Sequence, residues 1–205
     1  MLPPDATLSV QSPAVSVDAN TLPDGVGGVL LSGGQIAGRV NALGAAISRD
    51  YAEKGVGEIT VIAVANGAVI FAADLLRAIR LRVRFDMTRI ASYHDATAPT
   101  AQPQFLFPWR LELKSRHVLL VDDILDTGNT LAHLHKSLLD QCPASLRTCV
   151  LLDKKSRRQT PFDAEYTGFE IADVFVVGYG LDFAEHYRNL PFVGTLKPEY
   201  QSIVH

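Results

Sequence analysis

The sequence predicts an α/β domain with a mainly parallel, twisted sheet flanked by helices on both faces. Two observations carry this. Short apolar runs of the kind a buried strand shows, at 59–64, 118–121 and 146–152, alternate with stretches of helical periodicity. The segment His117–Leu131, HVLLVDDILDTGNTL, also passes from such a run through an acidic pair and a polar turn into a helical pattern reaching about Asp140.

The chain has 205 residues, 47% of them hydrophobic and 20% charged, which suits one soluble globular domain. Its net charge of -3 provides no global field for nucleic acid, so a polyanionic ligand needs locally placed cations. Cys142 and Cys149 read as small apolar residues in a reducing cytosol, with a disulfide as the minority reading. No signal-peptide pattern opens the sequence, and the longest uncharged run, between Glu58 and Asp74, is too short to span a bilayer. The protein is therefore expected to be cytoplasmic, with neither membrane nor nucleic acid as a partner.

Residues 1–30 are rich in Pro, Ser, Asp and Gly and predict a loosely ordered arm, packed on the domain or on a second subunit. Residues 31–205 form the domain proper. Ser32 can cap a helix to about Lys54, on which Ile36, Val40, Leu43, Ile47 and Tyr51 recur at helical spacing and Gly55 and Gly57 follow. A buried strand over 58–65 leads through Asn66–Gly67–Ala68 into a helix over roughly 69–80. Residues 82–91 read as another strand. Its arginines, with Arg77 and Arg80, suit a solvated or subunit-contacting face as well as phosphate binding. The aperiodic stretch 94–107 reads as a long functional loop. Trp109–Leu113 alternates like a strand leading into the central segment. His133 and His135 are two apart and share no helical face, which argues against a metal site. Strands are also expected over 146–152 and 192–196.

The central segment has the residue types of an anion site. First-turn amides of a helix lack internal partners, and the helix dipole favours an anion there. Gly128 permits close backbone approach, while Thr127 and Thr130 add hydroxyls. An acidic cap explains Asp126 or Thr127, but not the acids Asp122 and Asp123 at the strand end.

Four apolar residues, two acids, two apolar residues and then Asp-Thr-Gly-x-Thr resemble the phosphoribosyl-pyrophosphate motif of the purine phosphoribosyltransferases. The stretch VIAVANGAVIFAADLL resembles the pyrophosphate loop of the hypoxanthine-guanine members, and Gly168–Asp182, continuing through Glu185, Tyr187 and Arg188, follows the 6-oxopurine enzymes. The resemblance spans about residue 32 to the C-terminus. It implies a type I phosphoribosyltransferase fold with a small hood, built from the chain ends and the 154–175 region. The implied activity is purine salvage: Mg²⁺-dependent transfer of 5-phosphoribosyl from phosphoribosyl pyrophosphate to N9 of hypoxanthine or guanine, giving the monophosphate and pyrophosphate.

The resemblance also assigns residues. Asp126, Thr127, Gly128, Asn129 and Thr130 hold the 5′-phosphate, with Asp126 also the general base, and Asp122 and Asp123 hold the ribose. Ala65, Asn66, Gly67 and Arg188 meet pyrophosphate, with a non-proline cis bond implied at Ala65–Asn66. Lys154, Phe175, Val176 and Asp182 bind the base, Lys154 by donating to O6, and Asp182 also binds Mg²⁺. Ser92 and Tyr93 belong to a lid, although the Ser-Thr-Gly expected after the tyrosine is missing. Lys155, Arg157 and Arg158 read as a solvated basic loop. A homodimer or homotetramer is the family default. The alternatives are a xanthine-preferring enzyme and a phosphoribosyl-pyrophosphate-sensing nucleic-acid-binding regulator of the same fold. The regulator would carry an added DNA-binding domain or a broad basic face, and neither is evident.

Overall fold

The computed structural model describes residues 22–90 and 105–201. In chain order these form β1 (Val26–Leu31), α1 (Gly33–Ala52), β2 (Glu58–Val64), α2 (Val69–Ala78), β3 (Arg82–Ile90) and β4 (Phe105–Phe107). Next come β5 (His117–Leu125), α3 (Asn129–Leu139), β6 (Ser145–Asp153), β7 (Tyr166–Glu170), β8 (Val176–Val177), β9 (Val193–Leu196) and α4 (Pro198–Gln201).

Six strands make the main sheet in the order β4-β3-β2-β5-β6-β7. All its pairings are parallel except β3 with β4 at the edge. The central strands are apolar on both faces because both faces are covered. Leu119 and Val121 of β5 pack into one layer with Phe71, Ala72 and Leu75 of α2. Val118 and Leu120 pack into the other with Leu131, Leu134 and Leu138 of α3. Neighbouring β2 and β5 thus send their helices to opposite faces, and a crevice opens between their carboxyl ends.

Ser32 caps α1 as expected: its hydroxyl accepts from Gln35 N–H, and the Gln35 side chain accepts from Ser32 N–H in return. Past the end of that helix Gly55 takes a φ of +72°.

A smaller antiparallel sheet, β1-β9-β8, forms the hood around Val26, Val177, Leu190, Phe192 and Leu196. Three expectations change here. The loose arm expected to residue 30 overlaps β1, whose Val26–Leu31 pair with β9; that strand's partner lies far along the chain and leaves no local signal. Residues 1–21 lie outside the described residues. Within the 154–175 region, β7 joins the main sheet beside β6, so it is not part of the hood. Trp109–Leu113 is no strand, because Arg110 and Leu111 donate their N–H groups to the Asp86 carboxylate at 2.6 and 3.1 Å. The edge position goes to Phe105–Phe107, inside the stretch expected to be a loop.

Cys142 and Cys149 are both free, the first exposed and the second buried. His133 and His135 are half-buried, packed against Phe105 and Phe162. No helix among the described residues is long and apolar enough to cross a membrane.

Candidate active site

A cavity of about 930 Å³ opens at the crevice between β2 and β5. One wall is the turn after β2, Ala65–Asn66–Gly67, where the Ala65–Asn66 bond is cis, as the resemblance implies. The opposite wall is the end of β5 and the start of α3, residues 122–131. Asp182, Glu185 and Arg188 close a third side. The predicted phosphate, ribose and pyrophosphate residues therefore meet in one space.

Gly128 explains how the phosphate turn is made. Its φ is +86°, and an added Cβ would lie 2.7 Å from the Thr160 carbonyl. Only glycine fits both demands. From there α3 begins, directing its first amides at the cavity.

Asp122, buried, and Asp123, half-buried, form a carboxylate pair. Burial raises the Asp122 pKa well above the ordinary value, and the neighbouring Asp123 charge adds to the effect. Burial also raises Asp123, opposed by hydrogen bonds from Asp122 and from backbone N–H groups and by the Arg188 charge. Two such groups suit hydroxyl ligands, since carboxyl oxygens accept hydrogen bonds from hydroxyls.

Arg188 is already engaged. It donates to Gly180 O at 2.9 Å and forms ion pairs with Asp182 and Glu185, each at 2.9 Å. Its hydrogen bond to Glu185 holds that carboxyl below the usual range. Asp182 also accepts from Glu185 N–H at 2.9 Å. No cluster of three or more potential ligands for a metal exists among the described residues. Asp182 could therefore supply one hard oxygen to a divalent cation held mainly by ligand oxygens, which is how Mg²⁺ is commonly bound.

Asp126 lines the cavity and has a buried Oδ1. Arg157 Nε is 3.0 Å from that oxygen but is not aligned for a hydrogen bond, so the contact is an ion pair only.

The base-binding set is not in the main cavity wall. Lys154 is buried at the end of β6, and desolvation lowers its pKa against the opposing pull of Asp126 and Asp173. Phe175 is 40% exposed and packs edge-on against Phe183. Val176 is buried in the hood sheet, paired with Thr195. Of this set only Asp182 lines the cavity. Ser92 and Tyr93 lie outside the described residues.

The reading of Arg158 as solvated is corrected, while Arg157, 45% exposed at its side chain, and Lys155, 60% exposed, stay at the surface. Arg157 lines the cavity and bridges Asp126 and Asp173. Arg158 is largely buried, paired with Asp153 and with the carbonyls of Leu125 and Asp126. A run of cations looks alike in sequence whether solvated or anchored: Lys155 also meets an acid, Glu170, and only the burial of Arg158 against Asp153 separates the cases. Arg89, from the basic strand, and Glu185, within the C-terminal resemblance, line the cavity too, as does Gln159, which no local pattern marks.

Comparison with known proteins agrees with this geometry. The phosphoribosyl transferase domain family matches residues 29–184. A Mycobacterium avium hypoxanthine-guanine phosphoribosyltransferase is 40% identical over 184 residues, 88% of this chain and 90% of its own. One from Staphylococcus epidermidis is 39% identical over 174 residues, 85% of this chain and 96% of its own. Among solved structures, a Trypanosoma cruzi hypoxanthine phosphoribosyl transferase superposes with a TM-score of 0.83 at 34% identity, covering 88% of this chain and 96% of that one. A hypoxanthine-guanine phosphoribosyltransferase from Bacillus anthracis gives 0.79 at 40% identity, covering 84% and 99%.

Proposed function

The chain belongs to the phosphoribosyl transferase family, and on that premise we propose how its residues carry out purine salvage. It is an enzyme of type I phosphoribosyltransferase fold that transfers the 5-phosphoribosyl group of phosphoribosyl pyrophosphate to hypoxanthine or guanine. The observation that carries the reading is the crevice itself: a helix N-terminus and two carboxylates at the end of β5, facing the cis turn after β2.

The backbone of Thr127–Thr130 holds the 5′-phosphate, with the helix dipole behind it. Asp122 and Asp123 take the ribose hydroxyls. The amides of Asn66 and Gly67 and the Arg188 guanidinium hold the departing pyrophosphate, where a fork of N–H donors suits phosphate oxygens; the Ala65 N–H, expected to join them, is instead donated to the Thr88 carbonyl at 2.8 Å. Asp182 holds Mg²⁺, which neutralises pyrophosphate charge when bound. Phe175 stacks on the purine, the Val176 backbone meets the base edge, and the donor-only ammonium of Lys154 favours a 6-oxo group over a 6-amino group. Asp126 takes the N7 proton as N9 attacks the ribose carbon. The working enzyme is a cytoplasmic homodimer or homotetramer.

The test is direct. Purified protein with Mg²⁺, phosphoribosyl pyrophosphate and one base at a time should release pyrophosphate with hypoxanthine and guanine and not with adenine. Preferential use of xanthine would move the assignment to the xanthine branch, and no release with any purine would end it.

A further inference from the structure

Three consecutive carbonyls of the phosphate turn are held from behind by one loop. Leu125 O accepts from Lys154 N–H at 2.9 Å and from Arg158 Nη1 at 3.1 Å. Asp126 O accepts from the same Nη1. Thr127 O accepts from the N–H groups of Gln159 and Thr160 at 2.9 and 3.0 Å. The Thr160 hydroxyl bonds Asn129 Oδ1, and the Asp153 carboxylate fixes the far side of the Arg158 fork. Asp153 is 4% exposed at its side chain and Arg158 14%, so this ion pair is shielded from solvent screening.

A trans peptide is planar, so its C=O and N–H point in opposite directions. Carbonyls of Leu125, Asp126 and Thr127 turned into the loop therefore turn the N–H groups of Asp126, Thr127 and Gly128 the other way. Residues 126–128 line the cavity. We infer that Arg158 is a positioning residue: through the carbonyls of Leu125 and Asp126 it presets the amides that receive the 5′-phosphate. Arg158 itself does not line the cavity. Its loop also carries Lys154, so the two ends of a bound nucleotide are read by one rigid segment. This inference rests on the proposed phosphate site.

The test compares inosine 5′-monophosphate with inosine, which differ only by the phosphate, in calorimetric titrations of wild type, R158M and R158K. In R158M the monophosphate should bind about 10- to 100-fold more weakly, the loss of one or two charge-assisted hydrogen bonds, while inosine changes by less than about threefold. R158K keeps a cation for Asp153 but lacks the fork that reaches both carbonyls, so it should show the same selective loss in smaller degree. If R158M does not fold, R158K alone decides. Equal losses for both ligands, or no loss for either, would overturn the inference. Wild type binding the monophosphate no better than inosine would overturn the phosphate site itself, a result visible before any variant is made.

Discussion

A methyl group added to Gly67 would lie 2.7 Å from the carboxylate carbon of Asp123, and closer still to Oδ2. The two walls of the crevice therefore touch through a glycine and an acid, with Gly180 next to Gly67 on the other side. G67A must displace Asp123 or the cis turn. The expected cost is about 1–3 kcal/mol of stability. Turnover should fall by roughly 100-fold, since misplacement of about 1 Å has that effect. Steady-state kinetics beside a melting curve check this, and a fully active G67A would mean that Asp123 can move freely.

The role proposed for Asp126, taking a proton as N9 attacks, predicts a loss of turnover larger than any loss of binding. D126A should lower kcat by about 100- to 10,000-fold, the usual contribution of a positioned general base, with much smaller changes in KM for either substrate. Arg157 faces the same carboxylate oxygen. A variant with unchanged turnover would refute the general-base role, and one with intact kcat but a raised KM would make Asp126 a binding group.

How much of this was legible in the sequence depends on where each residue finds its partner. β2, β5 and β6 are continuous apolar runs because their neighbours cover both faces, and that pattern is local. The acidic pair and the Asp-Thr-Gly turn are local too, and the structure brings them together with the cis turn. β1 is different: Val26–Leu31 are stabilised by β9, far along the chain, and their own residues resemble a tail. Trp109–Leu113 alternates like a strand, yet Asp86 captures two of its N–H groups. Arg158 could not be separated from Lys155 in sequence, although one is buried against Asp153 and the other is exposed on Glu170.

The base-binding role proposed for Lys154 predicts a pH dependence. Burial lowers its pKa from 10.5, so the ammonium is lost at a lower pH than for a free lysine. KM for hypoxanthine should therefore rise with pH before 10.5 is reached, while KM for phosphoribosyl pyrophosphate stays flatter. In K154Q the early rise should vanish and hypoxanthine should lose about tenfold or more in kcat/KM. A pH profile identical in K154Q and wild type would place the base away from this ammonium.

Asp122 sets a stability cost that the active site carries. In the folded protein its pKa lies well above 3.8, mainly through burial and then through Asp123. Above pH 3.8 the unfolded chain releases this proton while the folded chain retains it. The folded state then binds more protons, so stability falls as pH rises through that interval and on to the raised folded value. D122N removes the ionisation while keeping the shape. It should gain about 0.5–2 kcal/mol near neutral pH, flatten the pH dependence of Tm, and lose activity through weakened ribose binding. Calorimetry from acid to neutral pH checks the sign: a Tm for D122N that is lower than wild type at neutral pH and falls as steeply would show that Asp122 is ionised and paired in the folded protein.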